Sequence, residues 1–408
     1  MVFYYILFIA IAIAGMVTHA TAVGLWGARG AHIALVEPET GKWRHYNKVK
    51  IADTIFCGLA FIALFVVSAI RKNVGSDYLL YSNWYNKIKF LPLDLNALND
   101  KEKGWVISSK IISNISFKTP VLMFAIFAAF ILIFFFIYVI RHSSLPWLSV
   151  TAFIGLGYFL LSIHFMRQMV AAVICAFAIN CIYRNQWLRF LVLVLFASCF
   201  HISAFLLIPF YFVLKIPITP IVLGAYALFT TFVFLNSTRI FAFVTTYIYT
   251  GYGGLEDNEF MYKGSTNYIH LSMFGLYVVC YMFKDNLLKR SKFNGLLMNC
   301  LFFAGFFETL GSHHALVSRL ILYFVLPGVI LLLPELAFAI GDYLKGFSRK
   351  REKTMTTLRY LFYVGIGAYI VASYVYLINV NYCRAVPYHT IYEGFDGIND
   401  VSREGDLY

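Results

Sequence analysis

The feature of this chain that most constrains its fold is a succession of apolar runs, each near the ~20 residues that an α-helix needs to cross a bilayer. The chain is 61% hydrophobic and only 13% charged. Lipid offers no hydrogen-bond partner to the backbone, so runs of this kind fold as helices that satisfy their own N–H and C=O groups. The sequence therefore predicts an all-α, polytopic integral membrane protein in which residues 1–408 form a single domain.

The charge bias of the loops sets the number and direction of the spans. The first run has no positively charged segment before it but is followed by Arg29, Lys42 and Arg44, the reverse of a secretory signal. We therefore expect an uncleaved helix with its N-terminus outside, and about twelve spans that return the C-terminus to the same side. The expected spans are 4–25, 51–70, 120–140, 146–163, 165–183, 187–200, 202–214, 218–236, 267–283, 296–312, 316–340 and 357–380.

This topology assigns each long loop to a face of the membrane. Residues 71–119 and 237–266 become external loops, and residues 381–408 an external acidic tail. The basic loops 284–295 and 341–356 become internal, as positive charge prefers.

The loop assignment depends on a break at His201. If residues 190–214 formed one span, the later basic loops would lie outside, so we expect two short helices, 187–200 and 202–214, that meet at His201. Broken backbone at membrane depth is tolerated where it lines a polar cavity. The break therefore predicts a cavity open to the exterior.

Polar residues from distant parts of the chain fall on the external face in this topology: Asp77, Arg167, His201, the adjacent His313 and His314, and Arg319. Arg167 or His201 alone is explained by snorkelling to the head groups or by a local hydrogen bond. Ionisable groups gathered at one face of an apolar protein instead indicate a functional site.

The segment RKNVGSDYLLYSNWYNKIKF, residues 71–90, predicts a short helix in the first external loop. Tyr78, Tyr81 and Tyr85 recur at helical spacing and share one face, which is also typical of a membrane-interface belt. Gly75 and Ser76 supply a turn and an N-terminal cap. We expect Asp77, in the first helical turn, to point into the external cavity.

Four short motifs in this order resemble the EpsG family. They are Gly75-Ser-Asp-Tyr-x-x-Tyr81, Arg167-Gln168 at the start of an Ala-rich span, Phe200-His-x-Ser-Ala204 leading to Pro209, and Arg319 with Tyr323. Ser76 stands where Thr is more frequent in that family. Members are regarded as Wzy-type polymerases of bacterial exopolysaccharides and O-antigens.

The resemblance implies a glycosyltransferase in the bacterial cytoplasmic membrane whose active site faces the periplasm or exterior. It would transfer a growing chain from undecaprenyl pyrophosphate to a sugar hydroxyl of the next lipid-linked oligosaccharide. Arg167 and Arg319 would pair with pyrophosphate oxygens, as the planar guanidinium favours, with Arg71 as a lesser candidate. The other expected substrate-binding side chains are Gln168, Tyr78, Tyr81, Ser203 and Tyr323.

The acceptor hydroxyl must lose a proton, and Asp77 and His201 are the two candidate bases. An unperturbed histidine pKa near ~6.5 favours His201, whereas Asp77, near a helix N-terminus and beside Arg71 and Lys72, should stay ionised and be a weak base. Asp77 remains the alternative. The sequence shows no Asp-x-Asp pair and no His/Cys cluster with ligand spacing, so neither a metal nor a cofactor is expected.

The expected partners are lipid-linked oligosaccharides, membrane lipids and a chain-length regulator in the same membrane. The net charge of +13 comes from short scattered clusters that orient membrane helices, so nucleic acid is not expected. Two other functions remain open. A lipid-oligosaccharide flippase would show two related halves, which we do not see. A membrane sugar O-acetyltransferase would use His201 as its base, but would need polar groups across the bilayer.

Overall fold

A computed structural model describes residues 1–26, 48–91, 102–116, 119–248, 268–345 and 352–392, and most of these residues are helical. Within those ranges no strand is formed, and a single antiparallel bridge joins Arg71 to Thr390. The all-α prediction is confirmed.

The helices follow the apolar runs closely. The first half of the chain contains α1 (Val2–Trp26), α2 (Lys48–Ala69), α3 (Tyr78–Ile88), α4 (Lys103–Ile115), α5 (Val121–His142), α6 (Pro146–Gly155), α7 (Tyr158–His164), α8 (Met166–Tyr183), α9 (Trp187–Ser198) and α10 (Leu207–Val213). The second half contains α11 (Pro220–Leu235), α12 (Ser237–Phe243), α13 (Tyr268–Met282), α14 (Lys284–Arg290), α15 (Phe293–Gly311), α16 (Ala315–Ser318), α17 (Leu322–Val325), α18 (Leu332–Lys345) and α19 (Glu352–Asn379). Short 3-10 or π segments connect several of them.

The number of candidate spans is lower than the predicted twelve. Among the described residues, seven helices are long and apolar enough to cross a membrane, and the number is nine when each of two bent helix pairs counts as one span. The remaining predicted runs fall on three shorter apolar helices. The runs are therefore helical as predicted, but several are too short or too bent to be counted as full spans.

One predicted span is bent because of a glycine. Residues 146–163 were expected to form one helix, but α6 and α7 meet at 60°. Gly157 separates them with φ +81°, a left-handed conformation that side chains disfavour. A Cβ at this position would also lie 2.6 Å from Leu377 Cδ1 of α19. The bend therefore depends on the absence of a side chain at Gly157.

The break at His201 is confirmed. His201 precedes a 3-10 turn, Ile202–Leu206, that leads into α10. The chain then returns antiparallel, because the ring of Trp187 at the start of α9 lies 4.6 Å from that of Tyr211 in α10. With 12 residues, α9 is about 18 Å long, against the ~30 Å of a bilayer core. The two helices thus form a hairpin with His201 at its tip.

Basic residues gather at the end of the bundle opposite that tip. Lys215 Nζ donates to Asn185 Oδ1 at 2.8 Å, and Lys284 Nζ donates to the Ile218 carbonyl at 3.4 Å. The end of α8, the end of α10 and the start of α14 therefore meet there. We call this the basic end, and the end that holds His201 the site end.

The last described residues return to the site end. Residues 381–392 lie against the loop that follows α2: the Ser76 N–H donates to the Cys383 carbonyl at 3.0 Å, and the Ile391 N–H to the Ile70 carbonyl at 2.9 Å. The Tyr388 hydroxyl donates to the last turn of α2 at 2.8 Å. Residues 393–408 of the predicted acidic tail lie outside the described residues, as do 92–101, 117–118 and 249–266 of the two predicted external loops.

Candidate functional site

Asp77 lies in a tight turn between α2 and α3. Gly75 opens the turn with φ +96°, and Asp77 occupies the N-cap position of α3 without making a capping hydrogen bond. The cap that the sequence assigned to Ser76 is therefore misplaced by one residue. The Asp77 N–H donates to His164 Nδ1 at 3.3 Å, and its Oδ1 lies 3.6 Å from the same nitrogen. This contact fixes the Asp77 turn on the end of α7 and leaves the carboxylate without a capping role.

The electrostatic surroundings of Asp77 differ from those the sequence suggested. Burial raises the pKa of Asp77, while Arg319 and Arg167 act in the opposite direction. The cations near the carboxylate are thus Arg319 and Arg167, whereas Arg71 and Lys72 were expected. Desolvation of the carboxylate is the largest of these effects, and it is a cause that the sequence argument for an ionised, weakly basic Asp77 did not include.

Arg167, in the first turn of α8, is paired with a carboxylate that the sequence analysis did not identify. Its Nη1 donates to Glu102 Oε2 at 2.7 Å, and Glu102 Oε1 accepts the Ile202 N–H at 3.3 Å. The guanidinium also lies 6.0 Å from the ring centroid of Tyr81. The Glu102 side chain is 7% exposed and that of Arg167 is 33% exposed. Glu102 therefore joins α4, the start of α8 and the break after His201.

A close backbone approach brings Glu102 to this position. The Gly104 N–H donates to the Cys199 carbonyl at 2.8 Å, and a Cβ on Gly104 would lie 2.8 Å from that same oxygen. Only glycine lets the first turn of α4 dock against the end of α9 at this distance. In the sequence, Glu102 stands between two lysines and therefore resembles an ordinary solvated charge. The only signal that it is buried was Gly104, two residues later.

His201 forms a hydrogen-bonded chain with Ser203 and Tyr323. Ser203 Oγ lies 2.6 Å from His201 Nδ1 and 2.7 Å from the Tyr323 hydroxyl. Because Nδ1 also accepts the Ser203 N–H at 3.3 Å, the network places the proton of the neutral ring on Nε2. Ser203 then donates to His201, and Tyr323 to Ser203. The His201 Nε2 faces Glu102 Oε1 at 3.8 Å.

The expected pKa of His201 is corrected by this environment. Burial lowers the pKa of His201 to about 3, and the positive charges of Arg167 and Arg319 act in the same direction. The imidazole is therefore neutral at physiological pH, as the sequence suggested, but it is a much weaker base than an unperturbed histidine.

Arg319 and Gln168 link the start of α8 to the 3-10 turn Arg319–Ile321. Gln168 Nε2 donates to the Arg319 carbonyl at 2.9 Å. The Arg319 guanidinium lies 4.3 Å from the ring centroid of Phe165. Through these contacts the two arginines expected at the site come from adjacent elements at the same end of the bundle.

Arg71, Tyr78 and Tyr81 are buried beside this cluster. Arg71 is 1% exposed, and its guanidinium donates to the Ser68 and Ile163 carbonyls. Burial lowers the pKa of Arg71 to about 10, which leaves it charged. Tyr78 stacks on Phe124 at 4.5 Å. The aromatic face of α3 thus packs into the protein core, which a belt at the membrane interface would not do.

His313 and His314 lie apart from the cluster, at the bend between α11 and α12. Ser237 Oγ is 2.7 Å from His313 Nδ1, and His314 stacks on Phe241 at 4.3 Å. The two rings are perpendicular, so they point apart as expected. Across the described residues, no group of three His, Cys, Asp or Glu side chains converges as metal ligands would.

The comparisons with known proteins give one match. The sequence model of the EpsG family matches residues 54–390, which include every residue of the cluster at the site end. No curated protein and no solved structure matches the chain significantly.

Proposed function

Because this chain belongs to the EpsG family, we propose that it is a Wzy-type polymerase that joins lipid-linked oligosaccharide repeat units into a polysaccharide. Family membership supports a polysaccharide polymerase in general. The finer proposal is that the donor chain is carried on undecaprenyl pyrophosphate, and that the reaction takes place at the outer face of the bacterial cytoplasmic membrane.

The observation that carries the proposal is that Asp77, Arg319 and Arg167 meet at the start of α8. Asp77 Oδ1 lies 3.6 Å from His164 Nδ1, the Arg319 guanidinium lies 4.3 Å from the ring centroid of the next residue, Phe165, and Arg167 follows in the first turn of α8. A polymerase of this kind must stabilise a polyanionic leaving group next to a group that accepts a proton. Two guanidinium groups beside one desolvated carboxylate provide both functions, and guanidinium pairs well with phosphate oxygens.

In the proposed reaction the acceptor sugar hydroxyl attacks the anomeric carbon of the donor chain. A bond forms between that oxygen and the anomeric carbon, while the bond from the anomeric carbon to pyrophosphate breaks and its electron pair stays on the phosphate oxygen. Arg167 and Arg319 contact the departing pyrophosphate. The hydroxyl proton passes to Asp77, whose raised pKa makes it a better base than an ordinary aspartate.

His201 then has an orienting role. Its Nδ1 accepts from Ser203, so the neutral ring can present Nε2–H only as a donor. Together with Glu102 it fixes the tip of the hairpin beside Arg167. We assign Arg71 to holding the Asp77 turn on the core, since its guanidinium donates to backbone carbonyls there.

We infer the side of the membrane from the charge bias. Lys215 and Lys284 lie at the basic end, and positive charge favours the cytoplasm, so the site end would face outward. Single cysteines introduced into a Cys-free variant, in residues 71–91 and in residues 284–295, test this with an impermeant thiol reagent. We expect labelling of the first segment and protection of the second in intact cells. Labelling of residues 284–295 in intact cells would show that the true orientation is the opposite of the proposed one.

The glycan ladder of a strain that lacks this chain tests the proposed reaction. A polymerase defect leaves single repeat units at the cell surface and removes every longer band. A flippase defect removes the single unit as well, because no repeat unit then reaches the outer face. Wild-type chain should restore the ladder, and Asp77→Asn should not, although it should accumulate to a similar level.

A further inference from the structure

A cavity of about 880 Å³ lies at the basic end, between the last turns of α5 and α8 and the outer side of α9. Its lining has two unlike parts. One part is apolar and includes Ile137 and Phe177, and the other carries three cations, Arg141, Arg184 and Arg189. Its volume falls within the ~300–1,000 Å³ of ordinary ligand sites.

The two parts are separated along the helix axes. On α5, Phe134 precedes Arg141 by two turns, and on α8, Phe177 precedes Arg184 by the same interval. Two turns of helix span about 10 Å. The cations therefore gather at one end of the groove and the apolar rings extend from them toward the middle of the bundle. This is the order of polar and apolar groups along a membrane lipid.

The groove is open on the side of α9 that faces away from the bundle. Leu188 and Val192, which line it, are 74% and 63% exposed. In a membrane such side chains contact lipid, so a ligand enters sideways from the bilayer. Binding of an anionic head group near the membrane surface is strengthened by each nearby Lys or Arg. Asn180 also lines the polar part: its Nδ2 lies 3.0 Å from His142 Nε2, and its buried Oδ1, which has no hydrogen-bond partner, can accept from a hydroxyl of a lipid head group.

We propose that this cavity binds an anionic glycerophospholipid of the surrounding bilayer. Its phosphate contacts Arg141, Arg184 and Arg189, and an acyl chain lies along the apolar groove. The cavity is distinct from the candidate active site, because Arg167 and Arg184 flank opposite ends of α8, about 26 Å apart along the helix. The lipid here is thus a bound component of the protein and does not enter the glycosyl transfer.

Native mass spectrometry of the purified protein with added phosphatidylglycerol or phosphatidylcholine tests this proposal. Wild type should bind one phosphatidylglycerol in preference to phosphatidylcholine. The triple variant Arg141→Gln, Arg184→Gln and Arg189→Gln should bind phosphatidylglycerol about 100-fold more weakly, because each basic group near an anionic lipid contributes about fivefold. Equal binding of the two lipids by wild type would overturn the proposal.

A matched variant controls for loss of positive charge alone. This second triple variant removes three cations that lie at the same end but outside the cavity lining, by the substitutions Lys284→Gln, Lys289→Gln and Lys292→Gln. It should retain wild-type affinity for phosphatidylglycerol. If the two triple variants weaken binding equally, the lipid responds to net charge and the cavity is not its site.

A third variant separates a lipid site from a site for phosphate alone. Val192→Trp fills the apolar groove and leaves all three arginines in place. We expect it to weaken phosphatidylglycerol binding at least tenfold, and we expect inorganic phosphate to compete poorly in wild type. Unchanged lipid binding by Val192→Trp, or full displacement by equimolar inorganic phosphate, would refute the acyl-chain contact and with it the lipid proposal.

Discussion

Glu102→Gln is the most informative substitution at the site end, because it removes one negative charge and keeps the shape of the side chain. In the protein Glu102 Oε2 accepts from Arg167 at 2.7 Å, and Oε1 accepts the Ile202 N–H at 3.3 Å. The amide can still accept the backbone N–H. The perturbation therefore falls on the charged contact with Arg167 and, because Oε1 also lies 3.8 Å from His201 Nε2, on the tip of the hairpin beside it.

The expected loss follows from the burial of the two partners. A hydrogen bond to a charged group contributes about 1.5–3 kcal/mol, and the partial exposure of Arg167 places the value near the middle of that range. If the whole contribution is used to hold Arg167 for the transition state, about 2 kcal/mol corresponds to a ~30-fold lower rate. We expect that decrease in kcat/KM with purified protein and lipid-linked repeat units.

Glu335→Gln is the matched control. Glu335 is a buried carboxylate that accepts from Arg290 Nε at 3.0 Å, outside the candidate site. Both variants should lower the thermal midpoint to a similar degree, but only Glu102→Gln should lower the rate per folded molecule. A Glu102→Gln rate within about threefold of wild type, or an equal rate loss in Glu335→Gln, would contradict a positioning role for Glu102.

Three further predictions concern the same end of the bundle. Arg167→Lys and Arg319→Lys should accumulate normally but lose about 30- to 1,000-fold in rate, since an ammonium cannot reproduce a bidentate phosphate contact; near-normal glycan ladders would indicate simple snorkelling. The rate should fall as pH decreases through the raised pKa of Asp77, which lies above the ~3.9 of an unperturbed aspartate, because protonation removes the base. His201→Gln should keep this fall in rate at low pH, since the His201 pKa is lowered to about 3. If the fall disappears in His201→Gln but remains in Asp77→Asn, then His201 is the base. Tyr388→Phe removes a hydrogen bond to the last turn of α2 and should lower the free energy of unfolding by about 1 kcal/mol. Denaturant unfolding in micelles measures this, and an unchanged midpoint would show that the bond does not contribute to stability.

The apolar pattern predicted the helices well because, in a membrane, hydrophobic length alone largely decides where a helix forms. The break at His201 was also predictable, from the charge of loops far from it. The bend at Gly157 was not, since a glycine within an apolar run is common in membrane helices. Its effect arises from the backbone conformation and from the close approach of α19 at Leu377, which local sequence does not contain.

At the candidate site, the sequence predicted which polar residues would gather at one end of the bundle, but it did not predict their electrostatic surroundings. Asp77, Arg167 and His201 became candidates because each is a polar residue at a position where an apolar side chain was expected. Their pKa values depend on which side chains are desolvated together, and that is decided by tertiary packing. Glu102 was missed for a related reason: beside lysines it resembles a solvated charge, and only the contact of Gly104 with the end of α9 buries it.

The contact between residues 381–392 and the turn that carries Asp77 has a consequence for biosynthesis. A ribosome makes the chain from its N-terminus, so the Asp77 turn enters the membrane long before Cys383 and Ile391 exist to pair with it. The candidate site can therefore reach this geometry only after residues 381–392 have been translated. A polypeptide that ends before residue 381 would insert its earlier helices but would lack these backbone contacts with the turn that carries Asp77.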